Sequence, residues 1–327
     1  MIKQLVKNTL SFAAGTLGWS MVRRGNKKLI ILMYHRVLPE NDPRYQREEP
    51  GMVVSDKTFA MHMQTLHDEK VPVMTVSDWL AQPEITRAPL TVAITFDDGW
   101  LDNYEFAFPV LKQFGFRSTL YVVTDFLGKP APFWPNKVLQ LLLAEGAQPT
   151  DDWGPLLRLI DKRISLPLSR DEAARVIDHL KRHSDHEIYN ALAAIPAKQD
   201  SPVEMISTEQ LLDAKAAMGV EVGSHTRRHY RLKEGLSETL LQEEIVEAQQ
   251  ILQEMTGAPV TTFCFPNGDF SEQAFDIVKA HYSAAVTTMR GINEDGSLNP
   301  HKLLRIGVHN DISDTPMKFK AKLSNFF

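Results

Sequence analysis

The chain has 327 residues and a single cysteine, Cys264, so neither an intramolecular disulfide nor a cysteine-rich zinc site can form. Positive charge is not in excess either. Its 36 basic and 41 acidic residues leave a formal net charge of −5, without the basic footprint of a nucleic-acid-binding domain, and no nucleic-acid partner is expected. Internal repeats and low-complexity tracts are missing as well, and an apolar fraction of 43% excludes wholesale disorder.

Long apolar runs are scarce. The N-terminal stretch MIKQLVKNTLSFAAGTLGWSMVRRGNKK starts and ends basic, but its apolar part, Leu10 to Val22, is interrupted by Ser11, Gly15, Thr16, Gly18 and Ser20. It is too short and too polar to span a bilayer. Three readings fit residues 1–24: a cleaved signal, a membrane-surface helix presenting Lys3, Lys7, Arg23 and Arg24 to anionic lipid, or a helix packed on the domain. The first implies a periplasmic protein, the others one in the bacterial cytoplasm or at the inner-membrane surface. Residues 1–27 therefore form an N-terminal helix or targeting segment, 28–312 the main domain, and 313–327 a C-terminal tail that can close in a short helix.

What the chain does have is alternation. Strands are predicted at KLIILMYH (28–35), VPVMTV (71–76), TVAITF (91–96), STLYVVT (118–124), VEVGSH (220–225), TTFCFP (261–266), SAAVTT (283–288) and LLRIGV (303–308). Helical spacing lies between them: TFAMHMQTLHDEK, a turn capped by Ser77, NYEFAFPVLKQFG ending at Gly115, and SETLLQEEIVEAQQILQEMTG with Ser237 as its N-cap and Gly257 as its stop. Strand–helix alternation argues for a parallel sheet or an α/β barrel. Residues 128–206 break the rhythm with helical patterns (NKVLQLLLAEG, RDEAARVIDHLKRH) and read as a helical insertion between two barrel strands.

Three stretches carry chemistry. In TVAITFDDGW an apolar strand ends in two adjacent carboxylates, Asp97 and Asp98, whose like charges repel. In VEVGSHTRRHY, His225 and His229 stand four apart after a strand. Alone, such a pair is better read as two solvated loop histidines. At the converging strand ends of a barrel, one carboxylate and two imidazoles make a three-ligand metal site with open positions. That explains the acidic pair: one Asp is neutralised by the cation, and its neighbour stays ionised to take a proton from water. In TTFCFPNGDF a strand runs to Pro266, and Asn267–Gly268 make a tight turn that either points a backbone N–H at a developing oxyanion or simply leads into a helix capped by Asp269 or Ser271.

TFDDG, SHTRRH and FCFPNG, in this order, resemble the first three motifs of the polysaccharide deacetylase family, the NodB-homology domain of carbohydrate esterase family 4, and ILMYHRV is similar to the first strand of many members. The resemblance covers roughly residues 28–310 and implies a distorted (β/α) barrel of the NodB type with a divalent metal, most often zinc. Carried over by position, it implies that Asp97 is the general base, that Asp98, His225 and His229 are the metal ligands, and that Asn267 supplies the oxyanion N–H where the family usually has Tyr. The Arg common at the start of the third motif is replaced, since Phe263 and Cys264 stand there, and Arg305 is expected to bring the missing cation to Asp97. IGVH, ending in His309, loosely matches the last motif, whose His protonates the leaving amine; His35 competes for that role.

The resemblance thus implies a zinc-dependent hydrolase removing an N-acetyl group from a sugar of a bacterial envelope polysaccharide or of its lipid-linked precursor, acting on a carbon–nitrogen bond other than a peptide bond. A deformylase, an O-acetyl esterase and a non-catalytic carbohydrate-binding barrel are the alternatives. Residues assigned to the substrate are His35, Phe133, Trp134 and Pro266, although Phe133 and Trp134 read more simply as anchors of the insertion. Cys264 reads as a small buried hydrophobe, and Arg227 and Arg228 as a solvated pair placed to meet a phosphate.

Overall fold

Seven parallel strands close on themselves in the computed structural model, which describes residues 14–130, 133–144, 149–161, 164–196 and 202–325. In chain order the strands are β1 (Lys28–Tyr34), β2 (Arg36–Leu38), β3 (Val53–Ser55), β4 (Leu90–Phe96), β5 (Ser118–Val122), β6 (Val220–Ser224), β7 (Thr262–Cys264), β8 (Ala284–Arg290), β9 (Asn293–Glu294) and β10 (Leu303–Gly307). The barrel runs β1-β4-β5-β6-β7-β8-β10 and returns to β1, where Leu32 pairs with Ile306. β9 adds antiparallel to β1, and β2 pairs with β3 in a separate ribbon.

Both faces of the barrel strands are covered, which is why they read as nearly unbroken apolar runs. One set of alternating residues, including Ile30, Leu32, Val92, Ile94, Leu120 and Val222, packs against the surrounding helices. The other set fills the barrel with Leu29, Ile31, Ala93, Tyr121, Cys264 and Val286, and Val76 and Trp79 join that inner core. Space inside is tight: a Cβ on Gly223 would lie 2.5 Å from the Tyr121 ring.

Two expectations need correction. The segment 71–76 forms no strand. Val73 makes one bridge to Val92, because Pro72 has no N–H to continue a ladder and Val76 already begins a helix. That helix, Val76–Ala81, is capped by Thr75, whose hydroxyl accepts from Asp78 N, and not by Ser77. Ser237, Gly257, Gly115 and Ser271 cap or end their helices as read, and the C-terminal helix is Pro316–Leu323.

Between β5 and β6 the helices Trp134–Leu142, Gly154–Ile160, Arg170–Leu180 and Asp185–Ala193 bury their own apolar core, with Leu139, Leu156 and Ile177 at its centre. The chain leaves and returns through one neck, where Pro130 bridges Val203. The described part of the N-terminal segment, Ala14–Gly18 and Trp19–Val22, packs against the helix Pro316–Leu323. Trp19 is buried and donates its indole N–H to Glu69, whereas Leu17 and Met21 are 68% and 63% exposed. Residues 1–13, with Lys3 and Lys7, lie outside the described residues. Among the described residues no helix is long and apolar enough to cross a membrane.

Candidate active site

β4 delivers two carboxylates to one end of the barrel. The inward positions Ala93 and Thr95 lead in steps of two to Asp97, which is buried. Asp98 then takes φ +78 and Gly99 φ +89, so the chain turns sharply and both carboxylates face the cleft. β6 delivers the imidazoles. His225 follows its last residue, and the loop after it holds Thr226 and His229 at φ +67 and +62, each strained by about 1–3 kcal/mol.

The parts meet at Asp98. Its Oδ1 lies 3.4 Å from Nε2 of His225 and 3.4 Å from Nε2 of His229. Ligands held at about 2.0–2.1 Å from a tetrahedral zinc ion are separated by about 3.3–3.4 Å, so both Asp98–histidine separations suit a shared divalent cation, with all three donor atoms within 4.8 Å of one another. The tautomer fits too: Nδ1 of His225 is 2.7 Å from the carbonyl oxygen of Cys264, which can only accept, so the neutral ring a cation would bind keeps its proton on Nδ1 and turns the Nε2 lone pair to the site. Burial holds His229 down at about 4, in the neutral form a metal needs. The other oxygen of Asp98, Oδ2, accepts from the indole N–H of Trp100 at 2.9 Å, which leaves Oδ1 turned to the histidines.

Asp97 is held differently. Nη1 and Nη2 of Arg305 donate to its Oδ1 and Oδ2, both at 2.7 Å. Burial by itself would raise the Asp97 pKa, but the charge and hydrogen bonds of Arg305 overcome it and keep the carboxyl below its usual range. Arg305 also touches the Cys264 sulfur at 3.2 Å, so the small buried thiol leaves room for a guanidinium arriving from β10. His35, at the end of β1, brings Nε2 to 3.7 Å from Asp97 Oδ2, and Asn103 fixes its backbone by donating to its carbonyl at 2.8 Å.

Asp97, Asp98, His225, His229, His35, Asn267 and Phe133 line one cleft. Phe133 turns its ring edge-on to His229, with centroids 5.0 Å apart. Asn267 sits in the left-handed region at φ +57 in the turn Pro266–Gly268, and a Cβ on Gly268 would strike the Thr288 hydroxyl. Besides Arg305, buried behind Asp97, three expected residues are not among the cleft lining. Trp134 donates its indole N–H to Asp185 inside the insertion, Pro266 is buried in the turn, and His309 precedes the short helix Asn310–Ser313 without a side-chain capping bond. Arg227 pairs with Asp125 and Glu247, and Arg228 with Glu243 and Glu244, so neither is a spare cation for a phosphate.

Residues 85–150 and 168–286, more than half of the chain, match the model of the family described as polysaccharide deacetylase. The chain belongs to that family. Among curated proteins it is similar to YxkH of Bacillus subtilis (strain 168), whose name places it with the polysaccharide deacetylases, at 23% identity over 267 residues. That alignment covers 81% of this chain and 66% of YxkH, just under two thirds of the relative. Among solved structures it resembles the Streptococcus pyogenes deacetylase PplD in complex with acetate (16% identity, 91% of this chain and 99% of that one, TM-score 0.59) and IcaB from Ammonifex degensii (21%, 91% and 98%, 0.58). At these identities the solved structures establish the fold: the α/β barrel is that of the family's hydrolases.

Sequence reasoning missed the residues that orient those of this polysaccharide deacetylase family member's cleft. Trp100 offered a faint signal, two positions past Asp98. The guanidinium of Arg36 lies 4.0 Å over the Trp100 ring and is itself paired with Asp102, Glu48 and Glu204, four residues scattered over the sequence. Glu244, fully buried, accepts the backbone N–H groups of Arg227 and Arg228 and pins the loop between the two histidines.

Proposed function

We propose that the protein hydrolyses the N-acetyl group of a sugar in a bacterial envelope polysaccharide or its lipid-linked precursor, with zinc at Asp98, His225 and His229. The observation that carries the reading is the pairing of an ionised carboxylate outside the triad, held by Arg305, with a cation-ready triad one residue away. A bound divalent cation would supply Lewis-acid polarisation of the acyl carbonyl and of the attacking water. Asp97, kept ionised by Arg305, takes the proton from that water. The backbone N–H of Asn267 is the donor we assign to the oxyanion of the tetrahedral intermediate.

The amine then needs a proton to leave. His35 lines the cleft beside Asp97, and His309 does not, so we assign the general acid to His35. Phe133 and Trp100 give the cleft an aromatic wall against which a sugar ring can lie. The PplD structure was solved with acetate, the product this chemistry would release. For the N-terminal segment we propose contact with an anionic inner-membrane surface, supported by exposed Leu17 and Met21 beside Arg24; Arg23 is paired with Glu69.

The test is acetate release from N-acetylated oligosaccharides, followed by mass spectrometry of envelope glycans from cells with and without the protein. We expect a loss of about 42 daltons per acetyl, the mass of C2H2O, on the modified sugar. Formate release instead would make it a deformylase, release from esters alone an O-acetyl esterase, and tight sugar binding without turnover a binding protein.

A further inference from the structure

A buried ion pair ties the helical insertion to the loop that carries both histidines. Arg231 follows His229 by two residues, and Asp185 opens the insertion helix Asp185–Ala193; they are 5% and 6% exposed. Asp185 Oδ1 accepts from Arg231 Nε at 2.8 Å and from the indole N–H of Trp134 at 3.0 Å, while Oδ2 accepts the backbone N–H of Arg231 at 2.9 Å. The remaining guanidinium nitrogens donate to the carbonyls of Lys181 and His183 at 2.7 and 2.6 Å. Lys181 is the C-cap of the helix Arg170–Leu180. The cation therefore sits at the negative end of one helix dipole, and the carboxylate at the positive end of the next.

The loop needs such a hold. His229 is not glycine, yet it occupies the left-handed region, and so does Thr226, whose hydroxyl accepts from His229 N at 2.9 Å. Glu244 secures the residues before His229. The insertion corner 181–185 grips the backbone just after it.

We infer that Asp185 is a positioning residue for the cation site: through Arg231 it fixes the left-handed turn that aims His229 Nε2 at Asp98. The insertion is then a working part of the metal centre as well as a wall of the cleft, where Phe133, Asn136 and Lys181 face the substrate space. The inference rests on the proposed reading of Asp98, His225 and His229 as metal ligands.

The experiment is a chelator-competition titration with Zn²⁺ on the full chain, run beside thermal unfolding of the metal-free protein. Asp185→Asn should weaken zinc binding by about 10–100-fold, and Trp134→Phe, which removes one of three bonds to Asp185, by about twofold to fivefold. Leu156→Ala, in the insertion core, should lower the melting temperature while leaving zinc affinity within about twofold. Unchanged affinity in Asp185→Asn, or an equal loss in Leu156→Ala, overturns the inference. Should Asp185→Asn not fold, Arg231→Lys decides: it keeps the charge but cannot reach both carbonyls, and wild-type affinity in it overturns the inference equally. A wild type that takes up no zinc sinks the metal reading itself, and this inference with it.

Discussion

Arg305 grips both oxygens of Asp97 across a sequence separation of 208 residues, Nη1 to Oδ1 and Nη2 to Oδ2, each at 2.7 Å. The two are fully buried partners from β10 and the end of β4, and the bidentate geometry leaves Asp97 ionised while directing it at the cleft. Asp97→Asn should retain bound zinc and lose about 10²–10⁴ in kcat, since an amide cannot accept the proton of water. Arg305→Lys should lose at least about tenfold, because an ammonium cannot hold both oxygens. Metal analysis beside steady-state kinetics checks this, and zinc-free Asp97→Asn protein would refute the division of labour between the two carboxylates.

Alanine at Asp98, His225 or His229 removes one donor of three, and each should empty the site as well as abolish turnover. Trp100→Phe should keep all three donors and free Asp98 Oδ2 from its indole. For that variant we expect a loss of zinc affinity of about tenfold, read by chelator competition. Wild-type affinity in Trp100→Phe would show that the indole does not orient the carboxylate.

His35 and His309 separate by leaving group. His35→Ala should cut turnover on an N-acetyl amide by about tenfold or more, and turnover on an aryl acetate, whose leaving group needs no proton, by much less. His309→Ala should leave the ratio of the two activities unchanged. An amide-selective loss in His309→Ala alone would return the general acid to β10.

Stability should fall in mild acid through His62. It is buried between the Tyr34 hydroxyl (3.0 Å from Nδ1) and the Ser313 carbonyl (2.7 Å from Nε2), stacked on Phe319, and burial holds its pKa at about 4. An unfolded histidine titrates near 6.5, so between these values the unfolded chain binds more protons than the folded one. The contribution is complete above about pH 6.5 and is lost as pH falls toward 4, on the order of 3 kcal/mol in all. Urea unfolding at pH 7.5 and 4.5 should show a smaller acid loss for His62→Gln than for the wild type. Parallel losses would rule His62 out as the acid-sensitive group.

Local signals in the chain were enough for the barrel strands, the helix ends at Ser237, Gly257 and Gly115, the insertion between β5 and β6, and the motif residues Asp97, Asp98, His225 and His229. Strand alternation and capping act over a few residues, and a strand end followed by acids or histidines is visible without knowing what lies across the barrel. Closure of the barrel decided the rest. Inward register at β10 made the expected Arg305–Asp97 contact a bidentate pair, and β7 set Cys264 where its carbonyl selects the His225 tautomer. Chain direction beyond the strand ends put His35 in the cleft lining and left His309, the residue the motif match favoured, outside it, although both follow a strand. The Asp185–Arg231 pair and the Arg36 cluster were beyond sequence for the same reason: ion pairs between distant segments exist only once packing removes water and leaves each charge the other as its partner.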